Sequence, residues 1–159
     1  MGIDPGITAT GFGLIVGDER PRLIVAGEIR PRINLPLAEK LDVIFAKVEE
    51  VVREHRPDAV AIEGVFHAKN AMSAIKLGHA RGIVFLAAAR ANIPVFEYSP
   101  REVKSAATGY GAAEKGQVEA MVRAILSIRG DISDHACDAI AVALCHLNTA
   151  RSLGRREEL

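Results

Sequence analysis

The sequence predicts an α/β fold: a mixed five-stranded sheet flanked by helices. Three observations carry that expectation. Short apolar or alternating runs crowd the first 30 residues and return singly near residues 60 and 96. Segments with apolar residues three or four apart lie between and after them. Pro and Gly punctuate the junctions, as at Pro5-Gly6 and Pro57. Strands first, then helices alternating with strands, is the order of a sheet sandwiched between helix layers.

Each element has a local reason. Residues 1–4 read as a short strand stopped by Pro5-Gly6. Residues 11–17 and 22–29 alternate or run apolar, and Gly-Asp-Glu-Arg-Pro between them marks a hairpin. Residues 37–55 are helical, with Leu37, Leu41, Ile44, Phe45, Val48, Val51 and Val52 on one stripe. Pro57-Asp58 breaks that helix. Residues 59–62 are a short buried strand that runs into Glu63. An Ala-rich helix follows over 71–91, then a strand over 94–98. Residues 100–107 and 114–128 read as two helices. The last helix spans about 133–152, with Ser133 as its N-cap. Residues 1–153 form one domain on this reading, and 154–159 a loose tail.

Composition excludes several classes. At 49% hydrophobic and 25% charged, the chain is not disordered. A chain of 159 residues buries roughly two-thirds of its unfolded surface, so it needs no metal or disulfide staples. No charge-free apolar run reaches the roughly 20 residues of a membrane span. Met-Gly-Ile-Asp-Pro-Gly lacks the basic and apolar regions of a signal peptide, so the expected location is the cytoplasm. Cys137 and Cys145 are about 12 Å apart along one helix, too far for a disulfide. They read as small core residues of a reduced protein. Twenty basic and twenty acidic residues cancel, yet not evenly. Residues 1–65 carry a net −3, residues 66–123 a net +4 and residues 124–159 a net −1.

Three acids stand out by position. Asp4 ends the first strand and Glu63 the strand over 59–62. Ligands sit at strand ends in α/β sheets. Asp138 lies among small apolar residues in the last helix, where an unpaired carboxylate is costly to bury. Like charges gathered in a half-buried site need a cation to hold them. The sequence neighbours of the three acids supply no evident Lys or Arg. A divalent metal would serve, and oxygen ligands suit Mg²⁺ or Mn²⁺. A phosphate-loop reading of Gly6 to Gly11 fails, because Phe12 follows where Lys is needed and a strand follows where a helix is needed. Gly11 and Gly13 fail as a dinucleotide fingerprint for the same reason, and these glycines are assigned to a turn that reverses the chain beside Asp4.

Several stretches together resemble the RuvC family of Holliday-junction resolvases. They are Gly2-Ile3-Asp4-Pro5-Gly6 with Thr10-Gly11-Phe12-Gly13, and Ala61-Ile62-Glu63-Gly64-Val65-Phe66 with Ala68-Lys69-Asn70. Lys76-Leu77-Gly78 with Ala80-Arg81-Gly82, Pro94 to Tyr98, Val103-Lys104, Ala113 to Val118 and Asp138-Ala139-Ile140-Ala141 continue the match in order. The block from Glu63 to Gly82 is its most specific part.

The resemblance implies a ribonuclease-H-like fold, a homodimer, and metal-dependent cutting of four-way DNA junctions in recombination and repair. It implies that Asp4, Glu63, His135 and Asp138 hold two Mg²⁺ per site, with Mn²⁺ also supporting activity. His135 stands where many members carry Asp. By helical angle both His135 and Asp134 can face the site, so that ligand stays open here. Phe66, Lys69, Asn70, Arg101, Lys104 and Lys115 are expected to contact DNA, with Phe66 stacking on bases. Lys104 and Lys115 match positions near the scissile phosphate. Lys76 and Arg81 are assigned to an interface or to solvent. A branch-migration helicase of the same system is the expected protein partner, and no membrane is involved. Two rivals share part of the pattern. The block over 63–82 argues against an RNA-processing nuclease on the same fold, and the intact acids argue against a junction binder that does not cut.

Overall fold

A computed structural model describes residues 1–17, 20–64 and 71–157, with side chains described to residue 152. Five strands form one sheet in the order β3-β2-β1-β4-β5. They are β1 (Gly2–Asp4), β2 (Thr10–Val16), β3 (Arg22–Ile29), β4 (Val60–Glu63) and β5 (Val95–Tyr98). The first three pair antiparallel, and β4 and β5 continue the sheet parallel to β1. The helices are α1 (Leu37–His55), α2 (Ala71–Arg90), α3 (Pro100–Thr108), α4 (Lys115–Ile125) and α5 (Asp134–Glu157). The expected α/β architecture is present, with every element near its predicted place.

Side chains alternate across β1, so its two faces feed two cores. Ile3 points into a core built with Phe12, Ile44, Val48, Ile62 and Val84 under α1 and α2. The opposite face, which carries Gly2 and Asp4, lies under α5. The second core joins α3, α4 and α5 through Val103, Val118, Val122, Ile140 and Val142.

α5 lies on a floor of glycines. A Cβ at Gly2 would stand 2.0 Å from the Ala139 carbonyl oxygen, and one at Gly11 would stand 1.9 Å from that of His135. One at Gly13 would stand 2.5 Å from Ile140 Cγ1. No side chain larger than hydrogen fits there, and helix backbone meets strand backbone directly. The turn role assigned from sequence therefore holds for Gly6 and not for Gly11 or Gly13. Thr10 closes that turn: its hydroxyl donates to the Gly6 carbonyl at 2.7 Å and accepts from the Gly6 N–H at 3.2 Å.

Two boundaries differ from the sequence reading. α4 stops at Ile125 because Ser127 adopts φ 53°. The Ile128 N–H then reaches back to Arg123 O at 2.9 Å and the Ser127 N–H to Ala124 O at 3.3 Å, a Schellman ending. α5 continues to Glu157, past the end expected near residue 152. Cys137 and Cys145 are buried and unpaired on α5, and burial pushes both thiols up to about 11. Among the described residues no helix is long and apolar enough to cross a membrane.

Candidate metal centre

Asp4 and Glu63 end neighbouring parallel strands, because Ile3 pairs with Ile62 in register. Both acids therefore leave the same carboxyl edge of the sheet. α5 begins above that edge. His135 and Asp138, three residues apart, share one helix face. Asp4 is paired with Gly11, and the His135 carbonyl rests against Gly11. The glycine floor thus sets the depth at which α5 meets Asp4. His135 Nδ1 lies 2.7 Å from Asp4 Oδ2.

Asp4, His135 and Asp138 each bring one ligand atom into a group spanning no more than 4.8 Å. Glu63 stands outside that tight group but lines a cavity of about 170 Å³ together with Asp4 and Asp138, as do Lys104 and Lys115. α3 and α4 deliver these lysines. Pro100 begins α3, and Ser99 and Glu102 cap it reciprocally, at 3.2 Å and 2.7 Å. The Glu114 N–H donates to Gln117 Oε1 at 2.9 Å at the start of α4, so Lys115 projects from its first turn.

The electrostatics match a cation site. Burial holds the Asp4 carboxyl above the usual carboxylate range and the Asp138 charge adds to it, while the His135 hydrogen bond opposes. Burial likewise raises Glu63, followed by the charges of Asp4 and Asp138, with Lys104 opposing. Lys115 Nζ donates to Asp138 Oδ2 at 2.9 Å and lies 3.5 Å from Asp134 Oδ2. Its bond to Asp138 is the main reason that Lys115 is raised. The sequence neighbours of the acids supply no cation, but α4 brings a lysine 23 residues away in sequence, at the site where the family resemblance expects Lys115. The donor set fits a divalent ion. Two carboxylates and one imidazole converge, and their charge is already partly balanced by Lys115.

The remaining predicted residues separate. Asp134 has a side chain 73% exposed and meets Lys115, so His135 and not Asp134 is in the tight group. Arg101 is exposed on α3 with its stem against Gly111, outside the cavity lining. Phe66, Lys69 and Asn70 lie outside the described residues. Arg81, assigned from sequence to an interface or to solvent, instead turns toward the site. It is bonded to the Glu63 carbonyl and its side chain is only 11% exposed. Its one visible signal is a guanidinium set within an Ala-rich helix.

A converging acid site on a ribonuclease-H-like sheet defines the class, a metal-dependent nuclease. The family model described as crossover junction endodeoxyribonuclease RuvC matches residues 1–146. A relative of that name from Koribacter versatilis (strain Ellin345) is 49% identical, covering 98% of this chain and 95% of the relative. One from Halorhodospira halophila (strain DSM 244 / SL1) is 47% identical, covering 98% and 97%. Among solved structures, T. thermophilus RuvC in complex with Holliday junction substrate superimposes with TM-score 0.91 at 39% identity, covering 95% and 93%. The yeast mitochondrial Holliday junction resolvase Ydc2, at TM-score 0.65 and 12% identity, shares the fold. The chain belongs to the RuvC family of crossover junction endodeoxyribonucleases.

Proposed function

We propose that this chain resolves four-way DNA junctions by paired symmetric nicks, each a metal-dependent phosphodiester hydrolysis, in recombination and repair. The observation that carries this is the convergence of Asp4, His135 and Asp138, of which Asp4 and Asp138 share a cavity with Glu63. These four residues would hold two Mg²⁺ or Mn²⁺ ions. Bound there, the ions supply an activated water, charge neutralisation at the phosphate and a stabilised leaving 3′ oxygen.

The protein's own groups do the rest. The His135 bond orients the Asp4 carboxylate. Lys104 and Lys115 line the same cavity and offset negative charge developing on the phosphate. Phe66 stacks on bases near the crossover, and Lys69, Asn70 and Arg101 contact the DNA around it. A homodimer presents two such cavities to a junction of twofold symmetry. A branch-migration helicase hands over the substrate, in the cytoplasm.

The test is cleavage of a mobile synthetic junction with Mg²⁺ or Mn²⁺, beside a linear duplex and an RNA–DNA hybrid. Paired nicks in opposite arms of the junction are expected, with neither control cut comparably. Cutting of the hybrid in preference to the junction overturns the proposal.

A further inference from the structure

Arg81 lies midway along α2, whose neighbouring Gly82 and Phe85 are exposed. The Arg81 side chain nevertheless turns inward across two strands. Its Nη1 donates to the carbonyl oxygen of Glu63. Its Nη2 lies 2.5 Å from Glu97 Oε2 on β5. The Phe85 ring is 5.8 Å from the guanidinium carbon. An almost buried guanidinium is thus satisfied by a carboxylate, a carbonyl and an aromatic ring.

The carbonyl it takes belongs to the last peptide of β4. The N–H of that same peptide, on Gly64, donates to Tyr98 O at 2.7 Å. One peptide plane, Glu63–Gly64, is therefore gripped on both sides at the point where the strand ends. Without Arg81 its carbonyl would lose a charge-assisted bond, and the plane could rotate about Glu63 ψ. Because the Gly64 N–H stays tied to Tyr98 O, such a rotation must be matched by a change at Glu63 φ, and that change tilts the Cα–Cβ bond that aims the Glu63 carboxylate. Glu63 has a reason to leave, since it shares a half-buried cavity with the charges of Asp4 and Asp138.

We infer that Arg81 is a positioning residue for Glu63. Through the Glu63–Gly64 peptide and its tie to Glu97, it holds the Glu63 carboxylate at the cavity against the repulsion of Asp4 and Asp138. The inference rests on reading that cavity as the metal centre.

The experiment compares Arg81→Ala, Arg81→Lys, Glu97→Gln and Glu63→Gln with the wild type. Mn²⁺ binding to the DNA-free protein is measured by electron paramagnetic resonance, and junction affinity by gel shift without divalent metal. Single-turnover cleavage is followed against Mn²⁺ concentration. Groups that orient a metal ligand from behind typically contribute 10–100-fold, so Arg81→Ala is expected to weaken Mn²⁺ binding and slow cleavage by about that factor. Junction affinity should stay within about threefold, because phosphate contacts dominate it. Arg81→Lys keeps the charge but not the two-pronged grip, and falls between. Glu97→Gln shifts Mn²⁺ binding in the same direction by less. In a Glu63→Gln background, Arg81→Ala should cost no further Mn²⁺ affinity.

A purely structural role predicts either a lower melting temperature with no change in the Mn²⁺ midpoint or an undiminished loss of Mn²⁺ affinity in that background, and either result overturns the inference. Wild-type Mn²⁺ binding and rate in Arg81→Ala also overturn it. Should Arg81→Ala fail to fold, Arg81→Lys and Glu97→Gln decide, and wild-type behaviour in both rejects it. Retained cleavage in Glu63→Gln would refute the metal-centre reading itself. A dead Glu63→Gln beside a normal Arg81→Ala would refute the positioning role alone.

Discussion

Adding one methyl group at Gly11 should disable the site without touching an ionisable side chain. The new Cβ would lie 1.9 Å from the His135 carbonyl oxygen and 2.2 Å from its carbon, where ordinary contact begins at 3.4 Å. Both atoms are backbone, so no rotamer change relieves the clash. α5 must lift by about 1.5 Å, the shortfall between those two separations. His135 Nδ1, now 2.7 Å from Asp4 Oδ2, would recede to about 4 Å, beyond hydrogen-bond range. A displacement of about 1 Å at reacting groups costs on the order of 100-fold in rate, and single-turnover junction cleavage should fall at least that far. Overpacking costs about 1–3 kcal/mol. For a chain of this size that lowers the melting temperature by about 2–4 °C per kcal/mol. Gly116→Ala is the control: nothing lies within 4 Å of its added Cβ, and it sits in α4. It should keep or slightly raise the melting temperature. The assay pairs thermal melts with single-turnover cleavage at saturating Mn²⁺. Wild-type melting and rate in Gly11→Ala would show that α5 is not seated on the strands as described. A lowered melting temperature with an intact rate would show that this seating does not set the metal centre.

Further expectations concern the acids and the helix pair. Asp4→Asn, Glu63→Gln and Asp138→Asn should each abolish cleavage and leave junction affinity within about threefold, since phosphate contacts dominate binding; parallel loss of binding in gel shifts contradicts this. Because Asp4 and Glu63 are held above their ordinary values, the metal-free native state binds more protons than the unfolded chain in the window above those values. Stability without metal should therefore fall as pH rises through that window, and Asp4→Asn should flatten the dependence in melts across pH 4 to 8; a steeper slope in the variant rejects the assignment. Asp134→Asn should keep the cleavage rate within about tenfold while His135→Ala loses about 10–100-fold, the range for a displaced metal-site group. The reverse order in single-turnover assays makes Asp134 the ligand.

The elements were legible because their signals are local. Apolar spacing, Pro57 and Ser133 act within a turn or two of themselves. Asp4 and Glu63 were legible for the same reason, each being an acid at the end of a short apolar run. What residue spacing does not carry depends on contacts distant in sequence, although the resemblance already put Lys115 near the phosphate. Lys115 meets Asp138 only after α4 docks on α5. Arg81 bonds a main-chain carbonyl, which carries no residue-specific mark. Gly11 and Gly13 read as turn residues because glycine in a sequence advertises freedom, while here it serves close approach to a helix 120 residues on. Ser127 ends α4 in a left-handed conformation usually taken by Gly or Asn, so the three residues beyond Ile125 read as helix. The choice between His135 and Asp134 turned on the rotation of α5. Ala139, Ala143 and Ile140 set that rotation by the glycines they cover.

The site also shows why its parts come from so many elements. Two carboxylates at adjacent strand ends cannot balance each other, and burial makes their charged forms dearer. Something basic must come from another layer. α5 supplies an imidazole bonded to Asp4, and α4 supplies an ammonium bonded to Asp138. The two differ in what they can do next. His135 rises from a helix pressed against backbone, so it stays where it is. Lys115 leaves the first turn of α4 with its side chain 56% exposed. An exposed ammonium on a four-carbon stem exchanges partners at little cost. On the proposed function, Lys115 is therefore the group free to turn from Asp138 to a phosphate once a divalent ion balances the acids, while His135 stays beside Asp4 where the ion would be held.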